Sequence, residues 1–191
     1  MPRKTECREI LNGVKDRLVP MLINKIILTG FMGSGKSTLA PLLASKLGFS
    51  VIDADKEVVL ISGYSSIREI ISQVNEAHFR DLEAQIAASL RDASNVVIAT
   101  GGGVIGRPEN MHNLMHGGGV VIFLDTSFDE VSRRIPDRSS RPIFHDPLKA
   151  AQIYQERLPI YREYADLCVS TDHKTQDQIC AEITNWLNTQ K

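Results

Sequence analysis

The chain is poor in cysteine, has no long apolar run, carries almost no net charge and contains no internal repeat, and each shortage removes a class of protein. Its three cysteines, Cys7, Cys168 and Cys180, are odd in number and stand in no metal-ligand spacing. That excludes a disulfide framework or a cysteine zinc site and fits a reducing compartment, with buried or incidental thiols. The apolar segment 18–28 is broken by Pro20, Asn24 and Lys25, so it is too short to span a bilayer. A net charge of −1 without a basic run argues against nucleic acid and membrane surfaces as partners, and for a small solute. Glu6, Glu9 and Asp16 are wrong for an organelle transit peptide, which is poor in acids. The expectation is a cytoplasmic protein, taken as a monomer. At 191 residues and 42% hydrophobic the chain can bury one good core: a single domain over residues 25–191 behind an N-terminal extension, 1–24. Within that extension CREILNGVKDRL has the pattern of a short amphipathic helix.

What is there in quantity is glycine beside a lysine. The stretch ILTGFMGSGKSTLAPLLA, residues 27–44, runs from an apolar strand through three glycines to an apolar helix. Gly30, Gly35, Lys36 and Ser37 fill the pattern GxxxxGK followed by Ser or Thr. Glycines let successive N–H groups turn inward on an anion while the helix aims its positive end at the same point. In this pattern the backbone through Gly33, Ser34, Gly35 and Thr38 cradles the α and β phosphates of a nucleotide such as ATP. Lys36 reaches the β and γ phosphates, and the Ser37 hydroxyl helps hold Mg²⁺. A plain glycine turn is the alternative, but strand before and helix after are the context the motif requires.

Strand-like runs fall at 25–28, 50–52, 95–99, 120–124 and 167–170, with helical patterns at 37–47, 67–72, 77–90, 129–135, 148–164 and 176–188. Alternation of this kind implies right-handed crossovers, hence a three-layer α/β domain: a five-stranded parallel sheet covered by helices on both faces. RRIPDRSSRPIFHDP breaks the alternation and reads as a surface loop or lid, at about residues 136–147.

Chemistry-bearing residues follow the apolar strands. In VIDADKE, Asp53 and Asp55 are two apart, so on a strand both carboxylates leave one face at the sheet's carboxyl end. One suits Mg²⁺ and the other an attacking hydroxyl, although either could merely cap the next helix. Gly101, Gly102 and Gly103 end the strand in VVIATGGGV and permit close backbone approach, whereas the triplet 117–119 precedes a strand and reads as a turn. Asp125, after VVIFL, is a second candidate for the metal carboxylate.

Taken in order, GFMGSGKST, DADKE, NEAHFRDLE, ATGGGV, RRIPDRSSRPIF and ERLPIYREYAD resemble the shikimate kinase family from about residue 25 to residue 166. The resemblance implies a P-loop kinase fold and transfer of the ATP γ-phosphate to the 3-hydroxyl of shikimate, a step toward chorismate and the aromatic amino acids. It implies that Asp53 is the magnesium-side carboxylate, which removes Asp125 from that role, and that Asp55 binds the reacting hydroxyl. Arg80, Arg157 and the glycine triplet would hold the substrate. Arg134 and Arg141 would contact ATP, Arg141 joining Asp55 and Lys36 in catalysis from the lid. The chemistry agrees, since shikimate has one carboxylate for guanidinium forks and three hydroxyls for acceptors. Glu83 stands at i+3 from Arg80 on one helix face, able to orient it.

Three departures stand out. Pro41 lies inside the helix after the loop, Asn75 replaces a glycine common before the glutamate, and STDHKTQ lacks the proline with which the family packs adenine opposite Arg134. Two rivals share the loop: a sister kinase such as a gluconate kinase, and a nucleotide-binding module without chemistry. DADKE, Arg80 and the glycine triplet disfavour the first, and an intact set of Lys36, Asp55 and arginines disfavours the second.

Overall fold

The structure, a computed structural model, describes residues 23–135 and 146–190. Strands β1 (Lys25–Thr29), β2 (Ser50–Asp53), β3 (Val96–Ala99), β4 (Gly119–Asp125) and β5 (Leu167–Ser170) form one parallel sheet in the order β2-β3-β1-β4-β5. Helices α1 (Lys36–Leu47), α2 (Ala54–Ser62), α3 (Ile67–Gln73), α4 (Glu76–Ser89), α5 (Pro108–Met115), α6 (Phe128–Arg134), α7 (Pro147–Tyr164) and α8 (Gln176–Asn188) connect and flank them.

The central strands β1, β3 and β4 are apolar along nearly their whole length and their side chains alternate, so both faces of the sheet are buried. Ile26, Leu28, Val97, Ala99, Ile122 and Leu124 point to one side, where Leu39 and Leu43 of α1 meet Ile179 and Ile183 of α8. Ile27, Val96, Ile98, Val121 and Phe123 point to the other, against Val58, Phe79, Ile86, Met111 and Tyr161 from the helices of that layer. The expected three-layer α/β architecture is therefore present. Lys25 opens β1 fully buried, its Nζ donating to the carbonyls of Leu90 (3.1 Å), Arg91 (2.6 Å) and His116 (3.1 Å). It ties the sheet's amino edge to the ends of α4 and α5.

Two helices depart from the expected pattern. Helix α2 starts directly after β2, its β-branched Val58 and Val59 giving no clear helical period, and α5 is only eight residues with Asn110, His112 and Asn113 as weak formers. Pro108 at the first turn of α5 supplies the start signal, since its missing N–H would have had no helical partner there. Helix α1 runs through Pro41, which deletes only the donor that would have met the Ser37 carbonyl. Asn75 serves as the cap of α4, its Oδ1 accepting from the His78 N–H at 2.8 Å. The expected extension lies outside the described residues up to residue 22. The lid expectation does so for residues 136–145, while Asp146 caps α7, accepting from the N–H groups of Leu148 and Lys149.

Candidate active site

All five strands end at one edge, so the loops after β1, β2, β3, β4 and β5 converge there. A cleft of about 380 Å³ opens at that edge, lined by the loop residues Met32, Gly33, Gly35, Lys36, Ser37 and Thr38 together with Asp55, Thr100, Gly102, Arg134, Ile135 and Gln176. A larger hollow of about 1080 Å³ lies elsewhere, beside His112, His116, Gly117, Glu163 and Asp166. Gly117 and Asp166 precede β4 and β5, so this hollow sits at the amino edge, away from the loop.

The loop is built as the sequence requires. Gly30, Gly33 and Gly35 take φ of 142°, 77° and 99°, conformations that L side chains rarely adopt. Lys36 is buried, and its Nζ donates to the carbonyls of Gly30 (2.7 Å) and Phe31 (2.9 Å) and to Ser34 Oγ (3.3 Å). The ammonium thus closes the loop on itself, over the place where an anion would sit.

The two aspartates are not a strand pair. Strand β2 ends at Asp53, which caps α2 by accepting from Lys56 N–H, and Asp55 lies in the helix's first turn. The expectation that both leave one strand face is corrected: the strand ends at Asp53 and the chain turns helical at Ala54, so Asp55 is a helix residue rather than a strand residue. Asp55 faces the cleft, and Asp53 is absent from its lining.

The glycine triplet packs against the next group of charges. A Cβ on Gly101 would stand 2.6 Å from Asp55 Oδ1 and 2.8 Å from Glu83 Oε1; one on Gly103 would fall within the Arg80 guanidinium. Bare backbone is required there for space, not for an unusual φ. Arg80 donates to Glu83 (2.7 Å) and Glu76 (2.9 Å). Burial opposes its charge, and the two carboxylates more than offset that, leaving the guanidinium above its usual range. Burial pushes the Glu83 carboxyl up against the pull of Arg80, and among the described residues its Oε1 is buried without a hydrogen-bond partner. Arg157 and the Tyr161 hydroxyl both donate to the Gly102 carbonyl, with Tyr161 stacked on Phe123 at 5.1 Å, so α7 holds the triplet in place.

Arg134 is fixed at the other end of the cleft. It donates to Glu130 Oε1 (2.8 Å), the Thr171 carbonyl (2.8 Å) and Oγ1 (3.2 Å), and more loosely to the Ser34 carbonyl (3.4 Å). Glu130 also takes two bonds from Arg133, and these arginines push its carboxyl down to about 2. The structure thus brings together Gly33, Ser34, Gly35, Lys36, Ser37, Thr38, Asp55, the triplet, Arg80, Arg157 and Arg134. Arg141 lies outside the described residues. Sequence reasoning missed Tyr161, Glu130 and Thr171. Glu130 carried a signal, standing three and four residues before two arginines in a helix; Thr171 did not, being 37 residues from its partner.

An anion cradle between a buried parallel strand and a helix, sharing a cleft with a carboxylate and with a glycine turn that two arginines pack against, defines a P-loop kinase of small molecules. The model of the family described as Shikimate kinase matches residues 32–188. A shikimate kinase from Geobacter metallireducens is 38% identical over 88% of this chain and 94% of its own length, and one from Persephonella marina is 39% identical over 84% and 97%. Among solved structures, a shikimate kinase from Acinetobacter baumannii in complex with shikimate superposes with a TM-score of 0.83 at 28% identity, covering 90% of this chain and 96% of that one. The chain belongs to the shikimate kinase family, and is an ATP-dependent phosphotransferase.

Proposed function

We propose that this protein transfers the γ-phosphoryl group of ATP to the 3-hydroxyl of shikimate, giving shikimate 3-phosphate and ADP on the route to chorismate and the aromatic amino acids. The observation that carries the reading is that Asp55 and Gly102 line the same cleft as Lys36, with Asp55 packed against Gly101, Arg80 against Gly103 and Arg157 on the Gly102 carbonyl. Arg80, held by Glu83 and Glu76, and Arg157, held on the Gly102 carbonyl, take the shikimate carboxylate. Asp55 accepts a hydrogen bond from the 3-hydroxyl, orients it in line with the γ-phosphorus and receives its proton as the new P–O bond forms. Lys36 exchanges its bonds to Gly30 and Phe31 for the β and γ phosphate oxygens, so the charge that closes the resting loop neutralises the transferring group. Arg141 is proposed to come in from the lid and exclude water.

The residues also suit Mg²⁺. Hard oxygen donors are what it takes, and Ser37 would offer a hydroxyl at the cleft and Asp53, at the end of β2 two residues before the cleft's Asp55, a carboxylate. Among the described residues no cluster of three or more His, Cys, Asp or Glu is placed to cage a metal, which suits an ion carried in on the triphosphate. When bound, it would neutralise charge between the β and γ phosphates. We further propose a cytoplasmic protein that acts as a monomer, the location resting on the scarcity of cysteine, which fits a reducing compartment; among the described residues no helix is long and apolar enough to cross a membrane.

The test is acceptor-dependent ADP release from Mg·ATP, with shikimate and gluconate as parallel acceptors. Release with shikimate alone is expected. Release with gluconate instead, or none with shikimate while nucleotide binds, removes the proposal.

A further inference from the structure

Helix α7 meets the ends of two strands through two buried tyrosines, at i and i+7 on one helix face. The Tyr154 hydroxyl donates to the Thr126 carbonyl after β4 (2.9 Å), and the Tyr161 hydroxyl to the Gly102 carbonyl after β3. Tyr154 packs between Phe31 and Phe128, while Tyr161 lies on Phe123 with the ring planes 11° apart. A phenylalanine would fill either place as well, so in each case the hydroxyl is what packing leaves to be explained.

The two tyrosines differ in company. Arg157, one helical turn before Tyr161, donates to the same Gly102 carbonyl at 3.1 Å, so both lone pairs of that oxygen are taken. Burial pushes the Tyr161 hydroxyl up, and the Arg157 guanidinium beside it pulls the other way. A guanidinium on a long side chain with one mooring is free to turn about that bond; a second oxygen at its side, itself fixing the mooring, takes that freedom away. Gly102 lines the cleft, and a Cβ on it would lie 3.5 Å from the Tyr161 hydroxyl and 3.4 Å from the Met32 backbone nitrogen, so the turn is held between α7 and the phosphate loop. Among the described residues no arginine joins Tyr154 on the Thr126 carbonyl.

On the function proposed above, which this inference rests on, Arg157 takes the shikimate carboxylate. We propose that Tyr161 is a positioning residue for that contact: its hydroxyl fixes the Gly102 carbonyl and with it the direction of the Arg157 guanidinium. The experiment is steady-state ADP release by the purified full chain, with shikimate, its carboxamide and ATP varied in turn, for the unsubstituted protein, Tyr161→Phe and Tyr154→Phe, beside a thermal melt of each. Tyr161→Phe should raise KM for shikimate about 2- to 12-fold, the range of one net hydrogen bond, with KM for ATP unmoved. Tyr154→Phe loses a like bond from the same helix, so its melt should fall to a similar extent while its KM for shikimate stays that of the unsubstituted protein. The carboxamide brings no charge to Arg157, so with it the KM gap between the unsubstituted protein and Tyr161→Phe should close. A shikimate KM unchanged by Tyr161→Phe, raised equally by Tyr154→Phe, or raised as much for the carboxamide overturns the inference. So does a Tyr161→Phe chain that fails to fold, since the hydroxyl would then serve the fold alone. In each of these cases release by the unsubstituted protein with shikimate leaves the proposed function standing; no release by it overturns both.

Discussion

Alanine placed in turn at Gly101, Gly102 and Gly103 should injure the enzyme in three different ways, because each Cβ meets different atoms. At Gly103 the new carbon would stand 2.7 Å from Arg80 Cζ. Carbon atoms rest at about 3.5–4.0 Å, so the guanidinium must retreat by roughly 1 Å. Arg80 is then pulled from its alignment with Glu83 and from the shikimate carboxylate. Loss of a hydrogen bond to a charged group costs about 1.5–3 kcal/mol, so KM for shikimate should rise about 10- to 150-fold, with KM for ATP unmoved. At Gly101 the carbon meets Asp55 Oδ1 at 2.6 Å and Glu83 Oε1 at 2.8 Å, which displaces the group that orients the attacking hydroxyl. There kcat should fall, by a factor on the order of 10² for a misplacement near 1 Å. At Gly102 the nearest atoms are at 3.4–3.5 Å, close to ordinary contact, so the damage should stay within a few-fold. The assay is ADP release with each substrate varied in turn, beside a thermal melt of each variant. Equal losses at all three positions, or a Gly102→Ala variant worse than its neighbours, would refute the reasoning from side-chain displacement.

The other predictions concern single carboxylates. Asp55→Asn keeps the shape but removes the charge beside the hydroxyl, so turnover should drop on the order of 10² or more while ATP binding persists; Asp53→Asn should instead shift the Mg²⁺ dependence, and a magnesium titration of both variants separates the roles. Glu130 has its carboxyl held down to about 2 by Arg133 and Arg134, so its stabilising effect is present above the ordinary carboxylate range and is lost as pH falls from about 4.5 toward 2. The melting temperature of the unsubstituted protein should therefore exceed that of Glu130→Gln at neutral pH, and the gap should close through that window; a gap constant with pH contradicts it.

The parts of this site legible in the sequence are those held by local spacing. The phosphate loop is one continuous run in which glycine, lysine and serine have fixed places, and the Arg80–Glu83 pair is one helical turn. Strands β1, β3 and β4 are legible because each is an apolar run buried on both faces. The boundary at Asp53 is not, because DADKE fits a strand end or a helix start equally, and the choice is made by β2 stopping opposite Ala99 of β3. Distant contacts are not legible either. Arg134 reaches Thr171, and Tyr161 reaches Gly102, only once the sheet has brought β5 beside β4 and α7 over β4.

The central claim is that the recess at Asp55 and Arg80 presents the 3-hydroxyl of shikimate to the phosphate held by Lys36. Its most direct test is the structure of the product: incubation of the purified protein with Mg·ATP and shikimate, followed by phosphorus and proton magnetic resonance of the phosphorylated ring. The account predicts one monophosphate whose phosphorus couples to the proton on C3, formed by the unsubstituted protein and strongly reduced with Asp55→Asn. Phosphate on the 4- or 5-hydroxyl, or undiminished product from Asp55→Asn, would contradict it.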